Sequence, residues 1–264
     1  MTESKLRKRI IDIKLGGARN KNRRKQAILL TDSKGKYLEE ELSTESYLQL
    51  QVVHKSSIST DNPETRPFIW STLRNLLNIN DRAIIFLWIG TCDFTFKFTK
   101  TGYIHLKYNT NTYRPRVDTI VERLQNLKRQ IETRYRRSRV ILLECPPFSI
   151  IQYNKTLGHL NSNTFHKQTV KLEDQITYFN EQIQAIDLTA ASNITGRYIY
   201  KSSYMSPNFT KDIITSTKGS KSRPGEKVAY YINYSLLCDG LHPSGLVSKL
   251  WLRRICAKVI QLCY

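Results

Sequence analysis

The sequence predicts a three-layer α/β/α domain built on a mainly parallel sheet. Three observations carry that expectation. Short, continuously apolar segments, QAILL (26–30), RAIIFLWIG (82–90) and RVILLECPP (139–147), each stop at polar, glycine or proline residues, as strands buried on both faces do. Longer stretches between them repeat apolar residues at helical spacing. The two kinds of segment alternate, which is the pattern of strands joined by crossover helices.

The elements follow in order. QAILL runs into the polar turn Thr31-Asp32-Ser33-Lys34-Gly35, and SYLQLQVV (46–53) is a second strand with His54 at its end. RPFIWSTLRNLL (66–77) has the spacing of a short helix, and RAIIFLWIG is the clearest strand, stopped by Gly90-Thr91. Residues 94–116 alternate aromatic with Thr and Lys side chains around Thr101-Gly102, so a hairpin inserted at the domain edge is expected there. Ile120, Leu124, Leu127 and Ile131 mark one helix; Leu172, Ile176, Phe179 and Ile183 mark another. RYIYKSS (197–203) reads as a last strand, before a Gly/Ser/Lys-rich loop around Ser216 to Gly225. A final helix opens near Ser244 and turns Leu246, Leu250, Ile255, Val259 and Ile260 inward.

Residues 1–25 form a basic arm expected to be disordered, and 26–264 a single folded domain. Lys and Arg number 42 against 22 Asp and Glu, for a net charge of +20, which favours polyanionic partners such as RNA or DNA. No apolar run approaches a membrane span, and the N-terminus lacks the apolar core of a secretory signal. Five cysteines without metal spacing point to free thiols in a reducing compartment, cytoplasmic or nuclear. No Gly-rich phosphate loop is present, and His54, His105, His159 and His166 lack metal-ligand spacing, so neither a cofactor nor a metal is expected.

In a parallel sheet, ligand sites lie beyond the carboxyl ends of the strands. Ser33 follows the first strand, Gly90-Thr91-Cys92-Asp93 the central one, and Asp239-Gly240-Leu241-His242 precedes the last helix. The spacing of Asp239 and His242 lets the carboxylate orient the imidazole, which can then take the proton of a serine.

These three segments resemble the motif blocks of the SGNH (GDSL-type) esterases and lipases, whose fold is flavodoxin-like. Thr31-Asp32-Ser33 resembles the nucleophile block, with Thr31 where Gly is usual. Gly90-Thr91-Cys92-Asp93 is similar to the Gly-x-Asn-Asp block, with Cys92 where Asn is usual. Asp239-Gly240-Leu241-His242-Pro243-Ser244 matches the last block without departure. The resemblance covers Ala27 to Cys263 and implies a serine hydrolase acting on an ester or acyl group. It assigns Ser33 as nucleophile, His242 as general base and Asp239 as its orienting acid. It also implies an oxyanion hole formed by the Ser33 N–H and lined by Gly90 and Cys92. The family's second-block Gly has no counterpart, although Ser57 or Ser59 offers a backbone N–H in its place. A thiol at Cys92 is a weak donor.

A second function stays open: an SGNH-like module, weak or inactive in catalysis, that binds nucleic acid through its basic surface. Arg23, Arg24 and Lys25 of the arm, with Arg134, Arg136 and Arg137, would contact phosphates. Tyr103, Tyr108 and Tyr113 of the insertion would stack bases. Neither reading specifies an oligomeric state.

Overall fold

The computed structural model describes residues 24–42, 50–79, 81–110, 112–186, 209–212, 229–232 and 234–264. Four parallel strands form the central sheet: β1 (Gln26–Thr31), β2 (Leu50–His54), β3 (Ala83–Trp88) and β6 (Arg139–Leu142), in the order β2-β1-β3-β6. Residues Ala27 to Leu30 and all of β3 are buried, which explains why these strands read as unbroken apolar runs rather than alternating ones.

Helices cover both faces. On one, α1 (Lys34–Glu41) packs against α7 (Gly245–Cys263), and α7 lies over β1 and β3. On the other, α4 (Arg114–Arg134) packs against β6 and against α6 (His166–Ile186). Helix α2 (Thr65–Leu76) connects β2 to β3. A short turn of helix, α3 (Thr91–Phe94), leads into the antiparallel hairpin of β4 (Thr95–Lys97) and β5 (Ile104–Leu106). Helix α5 (Ile150–Thr156) and a 3₁₀ turn (Ser162–Phe165) precede α6. Strands β7 (Phe209–Asp212) and β8 (Ala229–Ile232) pair with each other.

The architecture expected from the sequence is therefore present, with local differences. Lys34-Gly35 is no simple turn. It opens α1, where Gly35 is required because a Cβ would stand 2.4 Å from Thr31 Cγ2 and 2.6 Å from His54 Cβ. The hairpin ends before 116, since α4 opens at Arg114 with Pro115 in its first turn, where proline costs no hydrogen bond. In α7, Leu246 and Ile260 are only half-buried; Val247, Trp251, Leu252 and Cys256 take the inward positions. That stripe is wide because α7 meets both the sheet and α1. The expected strand at 197–203 and the loop at 216–225 lie outside the described residues.

Strand register places the candidate residues. Thr31 pairs with His54 on one side and Trp88 on the other, so the three strands end level. Ser33 and Gly90 each lie two residues past that row. At the opposite edge, the Arg24 and Lys25 amides both donate to the Cys263 carbonyl, at 2.7 and 3.2 Å, joining the two ends of the fold.

Candidate active site

Ser33 occupies the turn between β1 and α1, as the N-cap residue of the helix. The first amides of a helix have no acceptor within it, so the Ser33 turn offers backbone N–H groups at a partially positive terminus. Asp239 to His242 form a closed loop. Its base is a Leu237–Pro243 bridge, with the Cys238 amide donating to the His242 carbonyl at 2.9 Å. The loop is fastened to α5, because the Ser149 amide donates to the Gly240 carbonyl at 2.8 Å. Gly240 has φ +84°, and a Cβ there would stand 2.5 Å from Gln152 Cβ and 2.9 Å from the Tyr153 nitrogen. No other residue fits that position without displacing the loop.

Ser33 and His242, 209 residues apart, come within hydrogen-bond distance: Ser33 Oγ lies 2.9 Å from His242 Nε2. On the other side of the ring, His242 Nδ1 lies 2.6 Å from Asp239 Oδ2. The second carboxylate oxygen accepts from the Leu241 and His242 amides at 2.9 and 2.7 Å. Asp239 is thus saturated by donors. Burial pushes its carboxyl up, but the His242 ring and these backbone donors outweigh that and hold it below the usual carboxylate range. An ionised Asp239 keeps the proton on Nδ1 and leaves Nε2 as the acceptor facing Ser33. The Tyr37 ring stacks on the imidazole, with centroids 5.3 Å apart and planes 29° apart.

Beneath the serine is a feature that sequence reading missed. Lys34 is 1 % exposed, and its ammonium pairs with the equally buried Asp32 carboxylate. It also donates to Thr91 Oγ1 at 2.6 Å and lies 5.2 Å from the centre of the Trp88 ring. This single side chain joins the end of β1 to the turn after β3. A lysine following a serine in a polar segment reads as solvated, and its partners at Trp88 and Thr91 are more than fifty residues away in sequence. Tyr37 had a local signal: it lies four residues after Ser33, one helical turn, but α1 itself was not expected.

The turn from Gly90 to Asp93 is held just as tightly. Gly90 has φ +133° and precedes α3, so it takes a backbone shape that a side chain would resist. Asp93 is buried and accepts the Thr60 amide at 2.8 and 3.0 Å and the Thr60 hydroxyl at 2.5 Å. It thereby anchors the loop after β2. In that loop Ser57 has φ +62°, the one positive φ outside glycine among the described residues. Ser57 thus adopts a conformation that glycine favours. Cys92 is half-buried; burial is the main reason its thiol is pushed up to about 12, so it stays protonated at neutral pH. Tyr153 on α5 is raised first by burial and then by the Asp239 carboxylate.

Among the described residues, the basic candidates form no comparable assembly. Arg23 lies outside the described residues. Arg24 is exposed and Lys25 half-buried, at the amino ends of the strands, the opposite edge of the sheet from Ser33. Arg134, Arg136 and Arg137 are exposed at the end of α4 and just beyond it. The Arg134 guanidinium already lies over Trp70, 5.8 Å from its centre, and over Tyr135. Tyr108 packs against the core, and Tyr113 packs against it and edge-on to Tyr178, so these rings are only partly free to stack a base. Among the described residues, no group of three or more His, Cys, Asp or Glu side chains could hold a metal ion.

No protein-family model matches the sequence, and no curated protein is similar to it. Several solved structures are similar, among them the following two. One is provisionally named a platelet activating factor from Streptococcus pneumonia, at 16% identity and a TM-score of 0.47, over 97% of this chain and 95% of that one. The other is provisionally named a GDSL-like lipase from Parabacteroides merdae, at 13% identity and a TM-score of 0.34, over 89% and 97%. The reading of the site rests on its own geometry.

Proposed function

We propose that the chain is a serine hydrolase of the SGNH type, acting on an ester or acyl group. The observation that carries the proposal is the hydrogen-bonded series Ser33 Oγ, His242 and Asp239, at 2.9 and 2.6 Å. In this reading Ser33 Oγ attacks the carbonyl carbon while His242 Nε2 takes its proton. The imidazolium then gives that proton to the leaving group, and an acyl-Ser33 remains. A water, deprotonated by the same Nε2, attacks the acyl carbon; the imidazolium then returns that proton to Ser33 Oγ as the acyl–Oγ bond breaks and the acid leaves. Asp239 keeps the ring in the required tautomer and stabilises its cation. The developing oxyanion would be met by the Ser33 amide, with the Gly90 turn and the Cys92 thiol beside it.

The test is covalent labelling with a fluorophosphonate probe. Folded wild-type protein should be labelled at Ser33, and Ser33→Ala should lose the label with its thermal unfolding unchanged. Asp239→Asn should slow labelling by about 10²–10⁴-fold, since it removes the tautomer constraint. Folded wild-type protein that resists the probe would remove the hydrolase reading.

A further inference from the structure

Beside the candidate site is a surface that catalysis does not use. We propose that the β4–β5 hairpin, the end of α5 and the 3₁₀ turn before α6 together form a seat for an anionic lipid surface. Six large apolar side chains are exposed among the described residues, and four of them lie in or between these segments: Phe96 (44%), Phe98 (48%), Leu157 (45%) and Leu160 (104%). Ring contacts make the patch continuous. His105 stacks on Phe96 with centroids 5.4 Å apart and meets Phe165 at 5.1 Å, while His159 meets Phe165 at 5.0 Å and Tyr103 at 4.7 Å. Leu157 abuts the hairpin turn at Gly102.

This surface is rigid. The Ile104 amide and carbonyl both bond the buried Asn154 side chain, at 2.8 and 2.9 Å, and the Leu106 amide donates to Gln168 at 2.8 Å. The hairpin is thereby fixed to α5 and α6, and its apolar side chains stay outward instead of folding onto the core. Exposed apolar side chains grouped in this way mark a contact surface.

Charge selects the partner. Residues 94–117 and 145–172 contain no Asp or Glu, whereas Lys97, Lys100, Lys155 and Lys167 are exposed within them. The neighbouring Asp61 is already paired with Lys107 at 2.9 Å. Protruding apolar side chains ringed by unopposed lysines suit a bilayer with acidic headgroups: the side chains enter the acyl boundary and the ammoniums meet the phosphates. Nucleic acid fits less well. Half of the protruding side chains are leucines, which offer no ring to a base, and the Phe96 ring is already stacked.

The test is flotation of the full chain with vesicles of phosphatidylcholine alone and of phosphatidylcholine mixed with phosphatidylserine. Wild-type protein should float with the mixed vesicles only, and Ser33→Ala should float equally well, because the proposal does not depend on catalysis. Phe98→Ser/Leu160→Ser should weaken partitioning by at least about ten-fold with circular dichroism unchanged, since both side chains are exposed. Lys97→Gln/Lys100→Gln/Lys155→Gln should weaken it by roughly five-fold per lysine. Three results would overturn the proposal: wild-type protein that ignores the mixed vesicles; variants that float as wild type, which assigns binding to the basic arm; or variants that keep vesicle binding but release a single-stranded RNA oligomer, which makes the surface a nucleic-acid platform.

Discussion

Replacing Lys34 with Met tests whether the buried ammonium fastens the site together. Lys34 and Asp32 are each 1 % exposed, so water cannot reach the carboxylate once its partner is gone. What remains for Asp32 is the Lys34 backbone amide, 3.0 Å from Oδ1. Breaking a buried pair from one side costs about 3–5 kcal/mol, because it leaves an uncompensated charge. Whole domains are stable by only about 5–15 kcal/mol, so Lys34→Met should remove between about a fifth and the whole of the total. Asp32→Asn/Lys34→Met removes both charges and should lie within about 1–2 kcal/mol of wild type. The assay is urea unfolding of the four members of this cycle, followed by fluorophosphonate labelling of those that fold. Labelling should slow in Lys34→Met, because the Thr91 contact that ties the Ser33 turn to the Gly90 turn is lost. The reasoning fails if Lys34→Met unfolds within about 1 kcal/mol of wild type, or if the double variant loses the sum of the two single losses.

Three further expectations follow from the same geometry. Burial, partly offset by the Thr60 hydrogen bonds, raises the Asp93 carboxyl from 3.8 to about 6, so the folded protein holds that proton more tightly than the unfolded chain does. Its contribution to stability is therefore full below about pH 4 and lost as pH rises to about 6; the loss amounts to roughly 3 kcal/mol, and Asp93→Asn should abolish this slope in urea titrations. Gly240→Ala adds a left-handed residue and sets its Cβ only 2.5 Å from Gln152 Cβ, and should cost about 2–5 kcal/mol in urea unfolding while slowing the labelling of Ser33; a change below about 1 kcal/mol would show that the loop yields easily. Cys92→Asn replaces a weak thiol donor with an amide and should raise turnover of p-nitrophenyl acetate by up to about 10²-fold; no gain would place residue 92 away from the oxyanion.

How much of this was legible depended on how local each signal was. β1, β3 and β6 announced themselves because burial on both faces leaves only apolar residues between the strand ends. Asp239 and His242 are one loop, and their spacing alone suggested the bond between them. The approach of Ser33 to His242 needed the sheet, which brings the two together across 209 residues. Helix α1 went unread because Lys34-Gly35 looks like a turn and only Lys34, Gly35 and Leu38 are buried in it, too few for a periodic stripe. The burial of Lys34 depends on Asp32, Trp88 and Thr91 meeting in three dimensions, and no pattern along the chain encodes that meeting. Ser57 was a candidate by position, but its left-handed backbone appears only in the fold.

The Cys263 carbonyl, holding the amides of Arg24 and Lys25, fixes where the basic segment 1–23 joins the domain. That junction is at the amino ends of the strands, and Ser33 is at the carboxyl ends, with the whole of β1, about 20 Å, between them. The attachment point at Arg24 is therefore at one pole of the sheet and Ser33 at the other.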